Sequence, residues 1–171
     1  LRGHSFGAIH QAVEEGNLNV SLVNNWRTYL AVDCVLTENS TEIECLTPEG
    51  VGASFRLQVS LYIAGESQLS FVTISYCSPT ISHLNDEAAQ LSTVGGDFVT
   101  ITGTNFGPAH DYSNATTIAS AINASYGGLY EVHGCEVIEA HTRMRCPSAE
   151  GVGRNHSWRV TVGDQTSAAS A

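Results

Sequence analysis

The sequence predicts an all-β chain of two small sandwiches in tandem. Three observations carry that prediction. Apolar and polar residues alternate in short runs bounded by glycine-rich turns, and no long window has helical periodicity. The chain contains the same unit twice at an offset of about 100 residues, the size of one sandwich domain. Each copy carries a cysteine pair enclosing ten residues, Cys34 with Cys45 and Cys135 with Cys146.

The organising stretch is VGGDFVTITGTNFGP, Val94 to Pro108. A Gly-Gly pair feeds a short strand in which Val99 and Ile101 alternate with Thr100 and Thr102. The strand runs into a Gly103 to Gly107 turn that holds Phe106. LRGHSFGAIH, Leu1 to His10, lies over ITGTNFGPAH, Ile101 to His110, and matches Gly3, Phe6, Gly7 and His10 to Gly103, Phe106, Gly107 and His110. The cysteine pairs follow at an offset of 101, and then EGVG at Glu49 to Gly52 lies over EGVG at Glu150 to Gly153. Three landmarks in one order are hard to obtain by accident.

GGDFVTITGTNFG resembles the signature of the immunoglobulin-like modules shared by plexins and transcription factors, the IPT/TIG family. There it forms the second strand of a β-sandwich and the turn leaving it. The resemblance implies tandem immunoglobulin-like sandwiches, residues 1–78 as a module lacking its first strands and residues 79–171 as a module lacking its last strand. It covers nearly the whole chain and is sharpest at Gly95 to Gly107, the cysteine pairs and the EGVG loops.

In chain order, Gly3 to Gly7 reads GHSFG, which matches the Gly-x-Ser-x-Gly nucleophile elbow and raises Ser5 as a catalytic serine. The elbow needs a buried parallel strand before it and a helix after it, and QAVEEGNLNVSL offers one helical turn at most. We therefore read a glycine turn, with Asn105 in the serine's place in the second copy. From Gly16, Leu18, Val20 and Leu22 point one way and Asn17, Asn19 and Ser21 the other, as in a half-buried strand. Trp26 and Tyr29 are expected to pack in the core or between sheets. CVLTENSTEIEC folds into a hairpin about Asn39-Ser40, setting Cys34 across from Cys45, and Cys135 meets Cys146 about Ala140-His141 in the same way. A disulfide closing so short a loop contributes roughly 2 to 3 kcal/mol in the chain-entropy account. A zinc site wants more closely spaced ligand pairs, so disulfides are expected, and with them an oxidising compartment.

FRLQVSLYI and LSFVTISY read as two strands joined at Ala64 to Ser67, with Val72, Ile74 and Tyr76 inward. Cys77 has no partner within the repeat and is expected either to bond outside this sequence or to be a buried thiol. Asp111 to Gly128 reads as a polar insert. SWRVTV then gives a strand with Trp158, Val160 and Val162 inward, in the places of Leu57, Val59 and Leu61. The tail GDQTSAASA is expected to stop short of a closing strand, so that strands from outside the sequence complete each end module.

The net charge is −10 and all seven basic residues are Arg, a surface that nucleic acid would repel. No apolar run suits a membrane span, and with no initiator Met or signal peptide the chain reads as a processed product or a slice of something longer. The His residues are scattered, with His10 and His110 at equivalent turns. Asp86-Glu87 reads as solvated rather than as a Ca²⁺ loop. No catalytic, cofactor or metal site is expected, and the chain is read as a non-enzyme.

Five of the ten Asn residues, Asn19, Asn39, Asn114, Asn123 and Asn155, head N-x-S/T sequons. With 33 of 171 residues Ser or Thr, about two would arise by chance. Beside paired cysteines, this excess points to an extracellular, N-glycosylated protein. Two functional classes follow. One is a structural repeat of a glycosylated fibre or surface coat, whose partners are other copies of itself and covalent N-glycans. The other is the ectodomain of a plexin- or fibrocystin-like adhesion or signalling receptor.

Overall fold

The computed structural model describes residues 18–38, 41–61, 66–85, 88, 90–109 and 122–171. Ser5, His10, Asn39, Asp86, Glu87, His110 and Asn114 lie outside them. The chain is all-β and antiparallel, with no α-helix among the described residues. It divides into two compact units, Leu1–Glu49 with Ser54–Ser75, and Gly50–Ala53 with Tyr76–Ala171.

The first unit contains β1 (Leu18–Val23), β2 (Thr28–Leu30), β3 (Val32–Glu38), β4 (Glu42–Leu46), β5 (Phe55–Leu61) and β6 (Glu66–Ile74). They form a four-stranded sheet in the order β2-β1-β5-β6 and the hairpin β3-β4. LNVSLV alternates as expected for a half-wet strand, burying Leu18, Val20 and Leu22. Phe55, Val59 and Ile43 complete the buried apolar set with Ala31. Burial at this density removes apolar surface from water at roughly 25 cal/mol per Å².

Two side chains differ from the sequence reading, each for a local reason. The Asn24 side-chain oxygen accepts hydrogen bonds from the N–H groups of Trp26 and Arg27 at 2.9 and 2.8 Å, an Asx turn that lifts Trp26 to the tip, 74% exposed. Tyr29 does pack as expected, with its ring 5.4 Å from that of Phe55. Val72, expected inward, is 72% exposed, and Phe71 beside it is fully exposed. Continued from the pair Gln58–Leu69, an unbroken ladder would set Val72 opposite Phe55. A bulge intervenes, and Ile74 takes that place instead. Ser70 holds the bulge, its hydroxyl accepting from the Leu57 N–H at 3.0 Å and donating to the Val72 carbonyl at 2.7 Å.

The second unit contains β7 (Thr80–Leu84), β8 (Phe98–Thr104), β9 (Ile122–Tyr126), β10 (Tyr130–Val132), β11 (Glu136–Glu139), β12 (Arg143–Pro147), β13 (Trp158–Val162) and β14 (Gln165–Thr166). Its sheets run β11-β12-β8-β7 and β10-β9-β13-β14. Counted within the unit, strands one, two, six and five make one sheet and four, three, seven and eight the other. This is the immunoglobulin-like arrangement. The inner faces meet in one core, with Val99, Ile101, Val137 and Met144 from one sheet and Ile122, Ala124, Tyr126, Trp158, Val160 and Val162 from the other. Inside β8, Gly103 has a specific cause, since a Cβ there would overlap the Thr80 carbonyl on β7 and the Phe106 ring.

The structure corrects the reading of the second module in two places. The tail does supply a closing strand. β14 pairs with β13, and beyond it the N–H groups of Ser167 and Ser170 donate to the carbonyls of Val160 and Trp158 at 2.9 and 2.7 Å. Small Ser and Ala residues let this segment lie close along β13, and the Ser167 and Ser170 hydroxyls accept the Val160 and Trp158 N–H bonds in return. The polar insert also ends earlier than expected, because Ile122, Ala124 and Tyr126 alternate inward as β9.

Candidate glycan-attachment and disulfide sites

Each unit carries one disulfide on a hairpin. Cys34 and Cys45 are bonded with Cα atoms 4.1 Å apart, and Cys135 and Cys146 with Cα atoms 4.2 Å apart, both across a separation of 11 residues. The hairpins explain this closeness, since directly opposed residues without ladder hydrogen bonds stand about 4.5 Å apart. On the second hairpin the tip closes at Ala140 to Thr142, with His141 at φ 64°. The His141 N–H donates to the Gly107 carbonyl at 2.7 Å, and the Phe106 N–H donates to the His141 carbonyl at 3.2 Å. The turn of the GTNFG motif therefore clasps the disulfide hairpin. Cys77 is exposed, which removes the buried-thiol reading.

Three sequons fall within the described residues. Asn19 lies half-buried on β1, between buried Leu18 and Val20. Asn123 lies on β9 between buried Ile122 and Ala124, a strand position where the sequence suggested a loop. Its Oδ1 is 3.1 Å from His133 Nδ1. Asn155 is exposed in a turn at φ 57°.

The sequence reading passed over an aromatic group around the second EGVG loop. Tyr126 stacks on Trp158 at 4.4 Å, and Tyr130 and His156 pack beside Tyr126 at 4.9 and 5.7 Å. The Tyr126 hydroxyl donates to the Ala149 carbonyl and accepts from its N–H, and the Tyr130 hydroxyl does the same with Val152. Burial holds the Tyr126 phenol above its ordinary pKa, against the lowering effect of the Ala149 bond. Glycine is required here by packing. A Cβ on Gly151 would strike the Tyr130 ring, and one on Gly153 the His156 ring. The EGVG loop, with one tyrosine on each of β9 and β10 before it, is the signal that could have located this group.

Two hollows flank these rings, one of about 110 Å³ lined by Leu91, Thr93, Tyr130, Val152 and His156 among others, and one of about 430 Å³ lined by Ser125, Tyr126, Asn155, His156 and Arg159 among others. Ligand pockets are typically about 300 to 1,000 Å³. Both tyrosine hydroxyls are already paired with loop backbone, so the group serves to pin the loop. Among the described residues no three His, Cys, Asp or Glu side chains gather as metal ligands, and no helix is long and apolar enough to cross a membrane.

No family model matches the chain. A search of solved structures finds similarity to SGBP-B from a complex xyloglucan utilization locus in Bacteroides uniformis, at a TM-score of 0.39 and 16% identity. The match takes in 97% of this chain and spans 42% of that one.

Proposed function

We propose that the chain is a structural repeat of an extracellular, N-glycosylated fibre or surface coat assembled from tandem immunoglobulin-like modules of the IPT/TIG type. The observation that carries this reading is the doubled disulfide hairpin, the same ten-residue loop closed in each of two copies of the unit. Such bonds persist in oxidising compartments, where N-x-S/T sequons are also used. An aromatic cluster whose two tyrosine hydroxyls pin the loop to its own backbone suits a load-carrying role. The net charge of −10 keeps such a surface soluble and away from nucleic acid.

The tail's own closing strand restricts how copies could join. Strand completion by a neighbour is not needed along β13, where the tail itself pairs. Electron microscopy of the native material tests the proposal. Filaments or a periodic coat are expected, whereas isolated particles released from a membrane anchor would overturn it in favour of the receptor ectodomain.

A further inference from the structure

The ladders place an asparagine at the same point of both units. Asn19 stands opposite Ser60, one step from the pair Leu18–Leu61, and Asn123 stands opposite Thr161, one step from the pair Ile122–Val162. Each heads a sequon, Asn19-Val20-Ser21 and Asn123-Ala124-Ser125, and each lies on the outer face of its four-stranded sheet. The two are 104 residues apart, whereas the cysteines recur at 101, so aligning the landmarks in sequence conceals the match.

Strand interiors disfavour asparagine, and a β-branched residue would suit either position better. Asn155 has a local reason for its identity, a turn at φ 57° that asparagine tolerates, and Ser54 holds φ 59° at the equivalent place in the first unit. The strand asparagines sit in extended β1 and β9, where that turn geometry does not arise. Nor do they share the hydrogen bond to His133, because Val32 follows Ala31 where His133 follows Val132. What they do share is the sequon and the register. In Asn123 the bonded atom is Oδ1, which leaves Nδ2, the atom that carries sugar, outside that bond.

We infer that this register position is the repeat's own N-glycosylation site, occupied at both Asn19 and Asn123. The reaction joins Asn Nδ2 to C1 of an oligosaccharide. The C1–O bond to a lipid diphosphate donor breaks, and the amide loses one proton as the diphosphate leaves. The glycans stand on the outer faces of β2-β1-β5-β6 and of β10-β9-β13-β14 and shield them, so protein contacts fall to the hairpin-bearing sheets.

This inference rests on the glycoprotein reading, and the experiment separates the two. The protein secreted from a eukaryotic cell is deglycosylated enzymatically in heavy-oxygen water, and its peptides are mapped by mass spectrometry. Label at both Asn19 and Asn123 is expected. Ser21→Ala and Ser125→Ala should each remove one glycan's mass while keeping the asparagine, and Ser21→Thr and Ser125→Thr should retain it. Label at Asn155 without label at both strand sites overturns the inference alone. A protein with no labelled sequon overturns it together with the glycoprotein reading.

Discussion

Leu18, Val20 and Leu22 oppose Leu61, Val59 and Leu57 in the first unit as Ile122, Ala124 and Tyr126 oppose Val162, Val160 and Trp158 in the second, so one sheet recurs register for register. Among the described residues, the disulfide hairpin is the part of the other sheet that both units show. In the second unit β8 lies against β12, with Val99 opposite Cys146 and Ile101 opposite Met144, and all four are buried. Among the described residues of the first unit, β3 and β4 form a two-stranded sheet, and Cys34 and Cys45 are only half-buried. Leu46 at the end of β4 is 60% exposed, whereas its counterpart Pro147 is half-buried. The disulfide is common to both hairpins, and in the second unit β8 lies beside it and takes the sulfur atoms into a core.

The largest effect should come from Trp158→Ala. Trp158 is buried, stacks on Tyr126 and stands where the first unit has half-buried Leu57. Its truncation is expected to cost about 3 to 5 kcal/mol, and Leu57→Ala about 2 kcal/mol at most. Amide hydrogen exchange along β9 and β13, compared with β1 and β5, reads the two separately. Equal losses would mean that the first unit packs as tightly as the second.

The sequence disclosed the shared sheet better than the differing one. Strict alternation in LNVSLV and in SWRVTV reports burial directly, because each side chain's face is fixed by its own strand. Val72 was misplaced because a bulge depends on Ser70 reaching the Leu57 backbone across the ladder, which no periodicity encodes. Trp26 was misplaced because an Asx turn at Asn24 outranks aromatic hydrophobicity at a loop tip. The closing segment after β13 was missed because Ser-Ala-Ala-Ser has no β-propensity, and hydroxyl-to-backbone bonds hold it instead. The cysteine spacing, by contrast, placed both disulfides, since a hairpin about the loop centre leaves little freedom for any other pairing.

Removing the disulfides sharpens the contrast next. In the chain-entropy account both loops span the same separation, so each pair should contribute about 3 kcal/mol. Replacing Cys135 and Cys146 by Ala also opens space in a closed core, whereas Cys34 and Cys45 are half-buried and lose less packing. Chemical denaturation of the two double variants should therefore show the larger midpoint shift for Cys135→Ala with Cys146→Ala. If the first-unit variant lost as much or more, burial would not be what separates the two bonds.

The smallest effect concerns Tyr126, whose counterpart in the first unit is Leu22, a side chain with nothing to ionise. Burial raises the Tyr126 pKa above 10.0 in the folded state. A raised pKa means that the folded protein holds the phenolic proton more tightly than the unfolded chain does. The resulting stability is fully present below pH 10 and is lost as the pH rises through the folded value. Alkaline conditions should thus loosen the Tyr126–Ala149 contact and the second EGVG loop while leaving β1 and β5 unchanged. The phenolate difference spectrum between the protein and Tyr126→Phe should emerge above pH 10, and exchange protection at the Ala149 amide should fall with it. Tyr126→Phe itself leaves the Ala149 N–H and carbonyl without their hydroxyl partner, at a cost of about 1 to 2 kcal/mol at neutral pH. A Tyr126 titrating at or below its ordinary value would show that the hydroxyl faces water, and the loop would then be held by the Tyr130 and His156 contacts instead.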